Sequence, residues 1–239
     1  MTTYDIINAM NGSEAVSVIR CGDGEKVILD NGIKADEHYM RIFGYIPKEK
    51  KEIRQHLIEA IRGCDILGIP RHKNLSRMEE DWRDVEKTID ELIPGVTGNR
   101  CSVDVHYDLL DGGYEQFLTG KSIALIGCRD LTEKISKRFN ATVQWFEVAP
   151  EIRFTSYSGD RHYPYQFYRA KDWMENWAFR KDKILLVGAG ILGKTYCTWW
   201  KQMGGKALDI GSVMDEWAGW ATRGPGRGLD KQVKTKWTL

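Results

Sequence analysis

The stretch VSVIRCGDGEKVIL, residues 16–29, joins a short apolar run to two closely spaced acidic side chains. Its first part, Val16 to Ile19, has the composition of a buried strand. The Gly-Asp-Gly-Glu sequence that follows predicts a tight turn, because Asp-Gly is a common turn signal and glycine adopts backbone angles that other residues avoid. Asp23 and Glu25 can then both face the space beyond the strand's carboxyl end, where open α/β sheets bind ligands.

These two carboxylates, together with Arg20, form a candidate site for a metal ion and a phosphate group. Mg²⁺ and Mn²⁺ prefer oxygen ligands, and proteins commonly bind them through one or two carboxylates plus substrate phosphates. Motifs this short also occur by chance, so an ordinary turn without a function is the alternative interpretation. The residues alone leave both interpretations open.

The composition describes a chain of 239 residues with enough apolar side chains, 42%, to bury a core. Its 35 basic and 34 acidic residues lack the strong basic excess that is typical of nucleic-acid-binding proteins. The five cysteines are scattered and form no CxxC pair, which argues against a zinc site or a disulfide framework. We find no signal-peptide pattern and no apolar run near the ~18 residues of a membrane span, so a cytoplasmic location is expected.

Apolar runs alternate with helical patterns along most of the chain. Later strands are predicted at 64–69, 101–106, 121–127, 142–148, 183–187 and 207–210. Helices are predicted at 47–63, 76–92, 109–118, 131–139 and 166–179, and one more follows the glycine-rich stretch 188–194 and ends at about 203. This alternation predicts an α/β fold, a single Rossmann-like domain with a mainly parallel sheet and helices on both faces. No break in composition divides the chain, so we predict one domain over residues 1–222 and a basic, irregular tail over 223–239.

A second glycine-rich turn follows the apolar run KILLV. Gly188, Gly190 and Gly193 match the pattern GxGxxG, and Asp209 ends the next predicted strand, as in a dinucleotide-binding site. Such a motif usually stands on the first strand of a six-stranded unit, whereas here it lies near the end of the chain. The turn still predicts an anion site, with a helix N-terminus and Lys194 as sources of positive charge. Close packing of helix on strand is the structural alternative.

Two further stretches carry side chains that suit chemistry or binding. His106 lies near Asp104 at a predicted strand end and could act as a base near neutral pH, although a lone histidine is more often structural. The segment 153–168 combines two arginines and His162 with several aromatic side chains. That combination suits a sugar, a base or a phosphate.

Three segments of the chain together resemble the GT-D-fold glycosyltransferases, a family long catalogued as a bacterial domain of unknown function. The segments are IRCGDGE, KSIALIG, and ILLVGAGILGKTY with GGKALDIGS. Family members look like R-F-G-D-G-E near the start and G-P-L-G-K followed by G-x-x-A-x-D-I-G-H near the end. The resemblance covers most of the chain in the same order, and the two end motifs are more specific as a pair than alone.

The resemblance implies transfer of a sugar from a nucleotide-sugar donor, typically a UDP-sugar, assisted by a divalent metal ion such as Mn²⁺ or Mg²⁺. It places the Asp-x-Glu motif of the family, the counterpart of Asp-x-Asp in other glycosyltransferases, at Asp23 and Glu25. Arg20 and Gly22 match the motif around them. The terminal motif implies donor-binding roles for Gly188, Gly190, Gly193, Lys194 and Asp209.

Three positions depart from the family pattern. Cys21 replaces the usual Phe, and Ala189 and Gly190 fall near the usual Gly-Pro. Ser212 stands where His is common, and this change removes a side chain that could serve as a base or a ligand. Some members carry a second glycosyltransferase domain, and we expect the domain of this chain to act alone or with a separate partner.

The implied reaction needs a base that takes the proton of the acceptor hydroxyl. Glu25 could be that base instead of a metal ligand, and Asp104 and His106 are further candidates. A glycan is the expected acceptor, with a modified base in DNA as a second possibility. Two other functions stay open: an NAD(P)-dependent oxidoreductase, based on the GxGxxG pattern, and a non-catalytic module that binds a nucleotide sugar. No sequence feature indicates an oligomeric state.

Overall fold

The computed structural model describes residues 1–70, 84–96, 99–152, 157–176, 183–220 and 238–239. The strands in these ranges are β1 (Val16–Arg20), β2 (Ile66–Ile69), β3 (Asn99–Ser102), β4 (Ser122–Gly127), β5 (Thr142–Glu147), β6 (Lys183–Gly188) and β7 (Lys206–Asp209). They form one sheet in the order β3-β2-β1-β7-β6-β4-β5, and every neighbouring pair is parallel. The predicted α/β fold is therefore confirmed.

Helices cover both faces of this sheet. Those of the described residues are α1 (Thr3–Asn11), α2 (Asp23–Asp30), α3 (Ile33–Phe43), α4 (Lys50–Gly63), α5 (Val85–Leu92), α6 (Val105–Asp108), α7 (Gly113–Leu118), α8 (Thr132–Phe139), α9 (Phe167–Glu175), α10 (Gly193–Gln202) and α11 (Val213–Ala218). One face carries α2, α3, α4, α5, α9 and α10, and the other carries α1, α6, α7, α8 and α11. None of these helices is both long and apolar enough to cross a membrane.

The central packing contact joins α4 and α10, which lie against each other and against the sheet. Ile53, Leu57 and Ile61 form the buried stripe of α4, as their spacing predicts. On α10, Trp200 is fully buried and Trp199 only partly. This contact fixes the start of α10, where the second glycine turn lies, relative to β1.

The Gly-Asp-Gly-Glu sequence differs from its prediction as a tight turn. Residues Asp23–Asp30 form α2, and Gly22 is its N-cap. The side chain of Glu25 accepts a hydrogen bond of 2.9 Å from the Gly22 amide, which satisfies a donor at the helix start. Ile28 and Leu29 then bury the helix against the core. A helix N-terminus has therefore taken the place of the turn, because both structures favour the same small and acidic residues.

Two other predictions are correct only in part. The predicted strand 101–106 is shorter and earlier, at Asn99–Ser102, and His106 lies in the short helix α6 instead. The predicted helix 109–118 begins only at Gly113. Helices α1 and α3 and the helix α11 were not predicted at all.

Several predicted segments lie partly or wholly outside the described residues. They include the first half of the helix at 76–92, four residues of the segment 153–168, the end of the helix at 166–179 and nearly all of the tail at 223–239. The boundary between domain and tail therefore stays a prediction.

The arrangement of the strands brings distant residues together. Strands β1, β7 and β6 are neighbours at the centre of the sheet and run in the same direction. Their last residues, Arg20, Asp209 and Gly188, consequently lie at one edge. This is the carboxyl edge of the sheet, where ligands bind in open α/β folds.

Candidate functional site

A cavity of about 590 Å³ opens at the carboxyl edge of the sheet. Its walls come from the segments after six of the seven strands, all but β2, and from α3. Its lining includes all predicted site residues except Gly193: Arg20, Gly22, Asp23, Glu25, His106, Gly188, Gly190, Lys194 and Asp209. The volume is within the range of small-molecule binding sites. We call this space the carboxyl-edge cavity.

Two cations and two anions form a buried network in the wall of this cavity. Lys194 Nζ lies 2.8 Å from Glu25 Oε1 and 3.1 Å from Asp209 Oδ2. Arg20 Nη2 lies 3.3 Å from Asp209 Oδ1, and Arg20 Nε donates to the backbone oxygen of Asp209. The side chains are at most 12% exposed, and their formal charges cancel. We call these four residues the buried ion quartet.

The quartet keeps Glu25 and Lys194 ionised. Burial alone would raise the pKa of Glu25, but the Lys194 ammonium and the hydrogen bond from Gly22 outweigh it and lower the pKa to about 2. Burial would also lower the pKa of Lys194, yet Asp209 and Glu25 raise it above its usual value. A carboxylate with such a low pKa accepts a proton poorly near neutral pH, which disfavours Glu25 as the base.

Lys194 has a different environment from the one expected of a lysine that binds a free phosphate. Besides Glu25 and Asp209, its ammonium group also donates to the backbone oxygen of Gly190, at 3.0 Å. One hydrogen bond and two ion pairs thus engage the ammonium group, and the Lys194 side chain is only 6% exposed. Lys194 therefore ties the second glycine turn to α2 and β7 before any donor binds.

Each position of the GxGxxG pattern favours glycine for its own structural reason. A Cβ atom at Gly188 would lie 2.8 Å from Met214, and one at Gly193 would lie 2.8 Å from Val187. Gly190 has a φ of +56°, in the left-handed region that side chains disfavour. Close packing thus requires two of the three glycines, as in the structural alternative, while Gly188 and Gly190 still line the cavity.

Asp209 argues against the dinucleotide interpretation. In a dinucleotide site, the acidic residue at the end of the second strand reaches a ribose hydroxyl. Here the Asp209 carboxylate pairs with Lys194 and Arg20, and its side chain is only 2% exposed. A ribose could reach it only by breaking buried ion pairs.

His106 is held by Arg20. Arg20 Nη1 lies 3.0 Å from His106 Nε2 and also donates to the backbone oxygen of Val103. A guanidinium group has no lone pair to share, so His106 Nε2 must be the acceptor and the ring carries its proton on Nδ1. The lone pair that a base would use is therefore directed at Arg20, which disfavours His106 as the base.

Asp23 has a different environment from Glu25, although both were predicted as metal ligands. It is the first residue of α2, is half-buried and lines the cavity. Among the described residues it has no hydrogen-bond or ion-pair partner, whereas both oxygens of Glu25 are engaged. Asp23 is therefore the member of the motif whose carboxylate is available to a ligand.

A metal ion fits this arrangement only together with a ligand. No group of three or more His, Cys, Asp and Glu side chains forms a complete metal site in the described part of the chain. Mg²⁺ is usually bound by one or two carboxylates together with substrate phosphates, and Mn²⁺ prefers the same oxygen ligands. Asp23 meets that requirement.

Sequence reasoning missed a second charged pair on the cavity wall. Arg129 Nε lies 3.1 Å from Asp215 Oδ1, and its guanidinium lies 4.5 Å from the centre of the Trp220 ring. Ser212, at the position where the family commonly has His, pairs with the hydroxyl of Tyr107 at 2.7 Å. Arg129 follows β4 by two residues, and this place at the carboxyl end of a strand is the signal that could have found it.

His162 lies on the far wall of the cavity and makes the fold sensitive to acid. It is buried, its Nε2 lies 2.9 Å from the Tyr196 hydroxyl, and burial lowers its pKa to about 3 from an ordinary 6.5. Below pH 6.5 the unfolded chain takes up a proton here and the folded chain does not. We therefore expect this group to lower the free energy of unfolding by about 2 kcal/mol between pH 7 and pH 5.

Urea unfolding of wild type and His162→Gln at both pH values checks this expectation. Glutamine can still bond to Tyr196 but does not titrate, so the variant should lose less stability on acidification than the wild type. Equal losses in the two proteins would show that other groups cause the pH dependence.

The fold and the site together define a Rossmann-like α/β domain with a ligand cavity at the carboxyl edge of its sheet. The chain belongs to the GT-D-like family, because the model of the GT-D fold-like domain matches residues 2–217. The family and the fold predicted from the sequence motifs are thereby confirmed. No curated protein matches the chain significantly.

Solved structures share this fold at low sequence identity. A structure described as a new glycosyltransferase (DUF1792) from Streptococcus sanguinis has a TM-score of 0.60 and 13% identity, over 98% of this chain and 92% of that chain. Another, described as the highly conserved domain of unknown function 1792 with a distinct glycosyltransferase fold, has a TM-score of 0.61 and 12% identity, over 99% and 87%. At such identities the likeness shows the fold alone.

Proposed function

We propose that this glycosyltransferase takes a sugar from a nucleotide-sugar donor, typically a UDP-sugar, whose diphosphate lies in the carboxyl-edge cavity. The observation that best supports the proposal is Asp23, a carboxylate that lines the cavity and has no partner among the described residues. The family and the glycosyltransferase fold of the solved relatives agree with it. The cavity is also large enough for part of a nucleotide sugar.

In this proposal Mn²⁺ or Mg²⁺ is held by Asp23 and by oxygen atoms of the diphosphate. Once bound, the ion would neutralise the charge that develops on the leaving diphosphate. Glu25 has a positioning role, because it caps α2 and is fixed by Lys194. The carboxylate of Asp23 is thereby presented from a helix start that the buried ion quartet holds in place.

Two arginines suit the remaining charge of the diphosphate better than Lys194 does. Arg41 on α3 is exposed and lines the cavity, and no described residue pairs with it. Arg129 lines the same cavity where β4 ends, and its contacts with Asp215 and Trp220 orient its guanidinium group. Guanidinium groups match phosphate oxygens in pairs, so both are expected to contact the donor.

The transfer forms one bond and breaks another. The acceptor oxygen bonds to the anomeric carbon, the bond from that carbon to the phosphate oxygen breaks, and its electron pair leaves with the nucleoside diphosphate. The acceptor proton passes to a base. Glu25 and His106 face cations, which disfavours both as that base. Asp104, the third candidate, lines the cavity beyond β3.

A thermal-shift measurement tests the donor class. UDP-, GDP-, TDP- and CMP-sugars are compared with and without Mn²⁺, alongside NAD(P)H. A ligand at a hundred times its Kd is expected to raise the Tm by roughly 5–10 °C, and only when nucleotide sugar and metal are both present. A shift with NAD(P)H alone would contradict the proposal and support an oxidoreductase.

A further inference from the structure

A second cavity, of about 360 Å³, adjoins the carboxyl-edge cavity. Four residues line both spaces: Phe43, Ala149, Pro150 and His162. The second cavity extends from this shared wall toward the segment 157–161, on the side of α3. A molecule bound there would therefore lie next to whatever occupies the first cavity.

The lining of the second cavity is partly aromatic, and hydrogen bonds hold two of its rings. Phe43, Tyr45 and Tyr157, which we call the aromatic wall, line the cavity, and the Arg161 guanidinium lies over one face of the Tyr45 ring. The hydroxyl of Tyr45 donates to the backbone oxygen of Tyr163, and that of Tyr157 accepts a hydrogen bond of 2.9 Å from Gln166. These bonds fix the rings before a ligand arrives, which lowers the entropy cost of binding.

Gln166 connects the aromatic wall to the boundary between the two cavities. It is buried, and its side-chain oxygen accepts a hydrogen bond from the amide of Ala149, one of the shared residues. The side-chain nitrogen of the same Gln166 donates to the Tyr157 hydroxyl. One side chain therefore connects the aromatic wall to a residue that both cavities share. Gln166 thus links the linings of the two spaces.

The two cavities differ sharply in charge. The carboxyl-edge cavity is lined by charged side chains of both signs, the carboxylates of Asp23, Glu25, Asp104, Glu151, Asp209 and Asp215 and the cations of Arg20, Arg41, Arg129 and Lys194. The described lining of the second cavity contains no carboxylate side chain, and its one permanently charged side chain is Arg161, whose guanidinium lies 4.2 Å from the centre of the Tyr45 ring. The second cavity is therefore unsuited to a metal-bound diphosphate and suited to a ligand with C–H faces and hydroxyl groups.

We propose that the second cavity is the acceptor site and binds a pyranose of a glycan, with its ring packed on the aromatic wall. This inference rests on the proposed function, since it assigns the donor to the neighbouring cavity. A pyranose offers apolar C–H groups to aromatic faces, and its hydroxyls can bond to Arg161 and to backbone groups. A hydroxyl directed toward the residues that line both cavities would point at the donor.

The first experiment measures acceptor binding without a donor. Saturation-transfer NMR is recorded with the methyl glycosides of glucose, galactose, N-acetylglucosamine and rhamnose. We expect at least one to bind the wild type and Tyr45→Ala to weaken that binding about tenfold, because the variant removes a ring face. Tyr157→Ala serves in the same way if Tyr45→Ala does not fold. Tyr165→Ala is the matched control, because this exposed tyrosine lines neither cavity.

The outcomes separate this inference from the proposed function. UDP with Mn²⁺ should leave glycoside binding in place, and the acceptor KM of the Tyr45→Ala enzyme should rise while the donor KM is unchanged. The inference is overturned if no glycoside binds the wild type, if Tyr45→Ala binds as tightly as the wild type, or if UDP displaces the glycoside. Glycoside binding without any nucleotide-sugar binding would instead contradict the proposed function.

Discussion

Replacing Lys194 by methionine is expected to lower the free energy of unfolding by about 3–5 kcal/mol, because it leaves buried carboxylates without their cation. Methionine has a similar length, so little packing is lost. Glu25 loses its ion pair, while Asp209 keeps only Arg20. Urea unfolding at pH 7, followed by circular dichroism, measures the loss.

Lys87→Met is the matched control, because Lys87 pairs with Glu91 on the exposed face of a helix. Exposed ion pairs contribute little, so the control should lose at most about 1 kcal/mol. If the two variants lost equal stability, the quartet would not be the stabilising network that its burial indicates.

The pH dependence of the Lys194→Met variant gives an independent check on the same group. In the wild type, the pKa of Glu25 is about 2 instead of 4.5, so its ion pair stabilises the fold above pH 4.5 and is lost as the pH falls through 2. Without Lys194, burial raises the pKa of Glu25 above its value in the unfolded chain. As the pH falls, the folded variant therefore takes up a proton at a higher pH than the unfolded chain does. The difference in unfolding free energy between wild type and variant should therefore be smaller at pH 5 than at pH 7.

Much of the fold could be predicted because it follows from local patterns. The apolar runs of β4 and β6 and the stripe of α4 need no knowledge of the rest of the chain. Helix α1 could have been found in the same way, since Thr2 and Asp5 form a capping box ahead of a helical apolar pattern. Helix α3 likewise buries Ala35, Tyr39 and Ile42 at helical spacing.

The site could be predicted in location but not in detail. The carboxyl ends of parallel strands must meet at one edge, so the convergence of Arg20, Asp23 and Asp209 follows from the fold class. Which charges pair with each other depends on the order of the strands, and the alternation of apolar runs does not specify that order. Lys194 therefore has the sequence context of a phosphate ligand and the contacts of a buried ion-pair partner.

The quartet separates the two acidic residues of the motif into two roles. Glu25 is placed third in α2, where it caps the helix and binds Lys194. Asp23 comes first and projects into the cavity, where a carboxylate near the helix N-terminus is favoured by the helix dipole. A change at Glu25 should therefore act on stability and activity together, whereas a change at Asp23 should act on activity.

Asp23→Asn is expected to lower metal-dependent turnover of the donor by roughly 10²–10³-fold, because loss of the ionised ligand removes several kcal/mol of charge stabilisation in the transition state. The free energy of unfolding should change by less than about 1 kcal/mol, the size of a helix-dipole contribution. Release of nucleoside diphosphate from the donor, with Mn²⁺ varied, measures the first effect, and urea unfolding measures the second.

Asp30→Asn is the matched control, because Asp30 ends the same helix and its exposed carboxylate pairs with Lys26 away from the cavity lining. It should keep full turnover and the wild-type dependence on Mn²⁺. Glu25→Gln completes the comparison, and its loss of activity should come with a loss of stability of several kcal/mol, since it leaves Lys194 with a single carboxylate. Full turnover in Asp23→Asn would mean that the metal ion is held by other groups, and the role of donor-site ligand would then have to move from α2 to another part of the cavity wall.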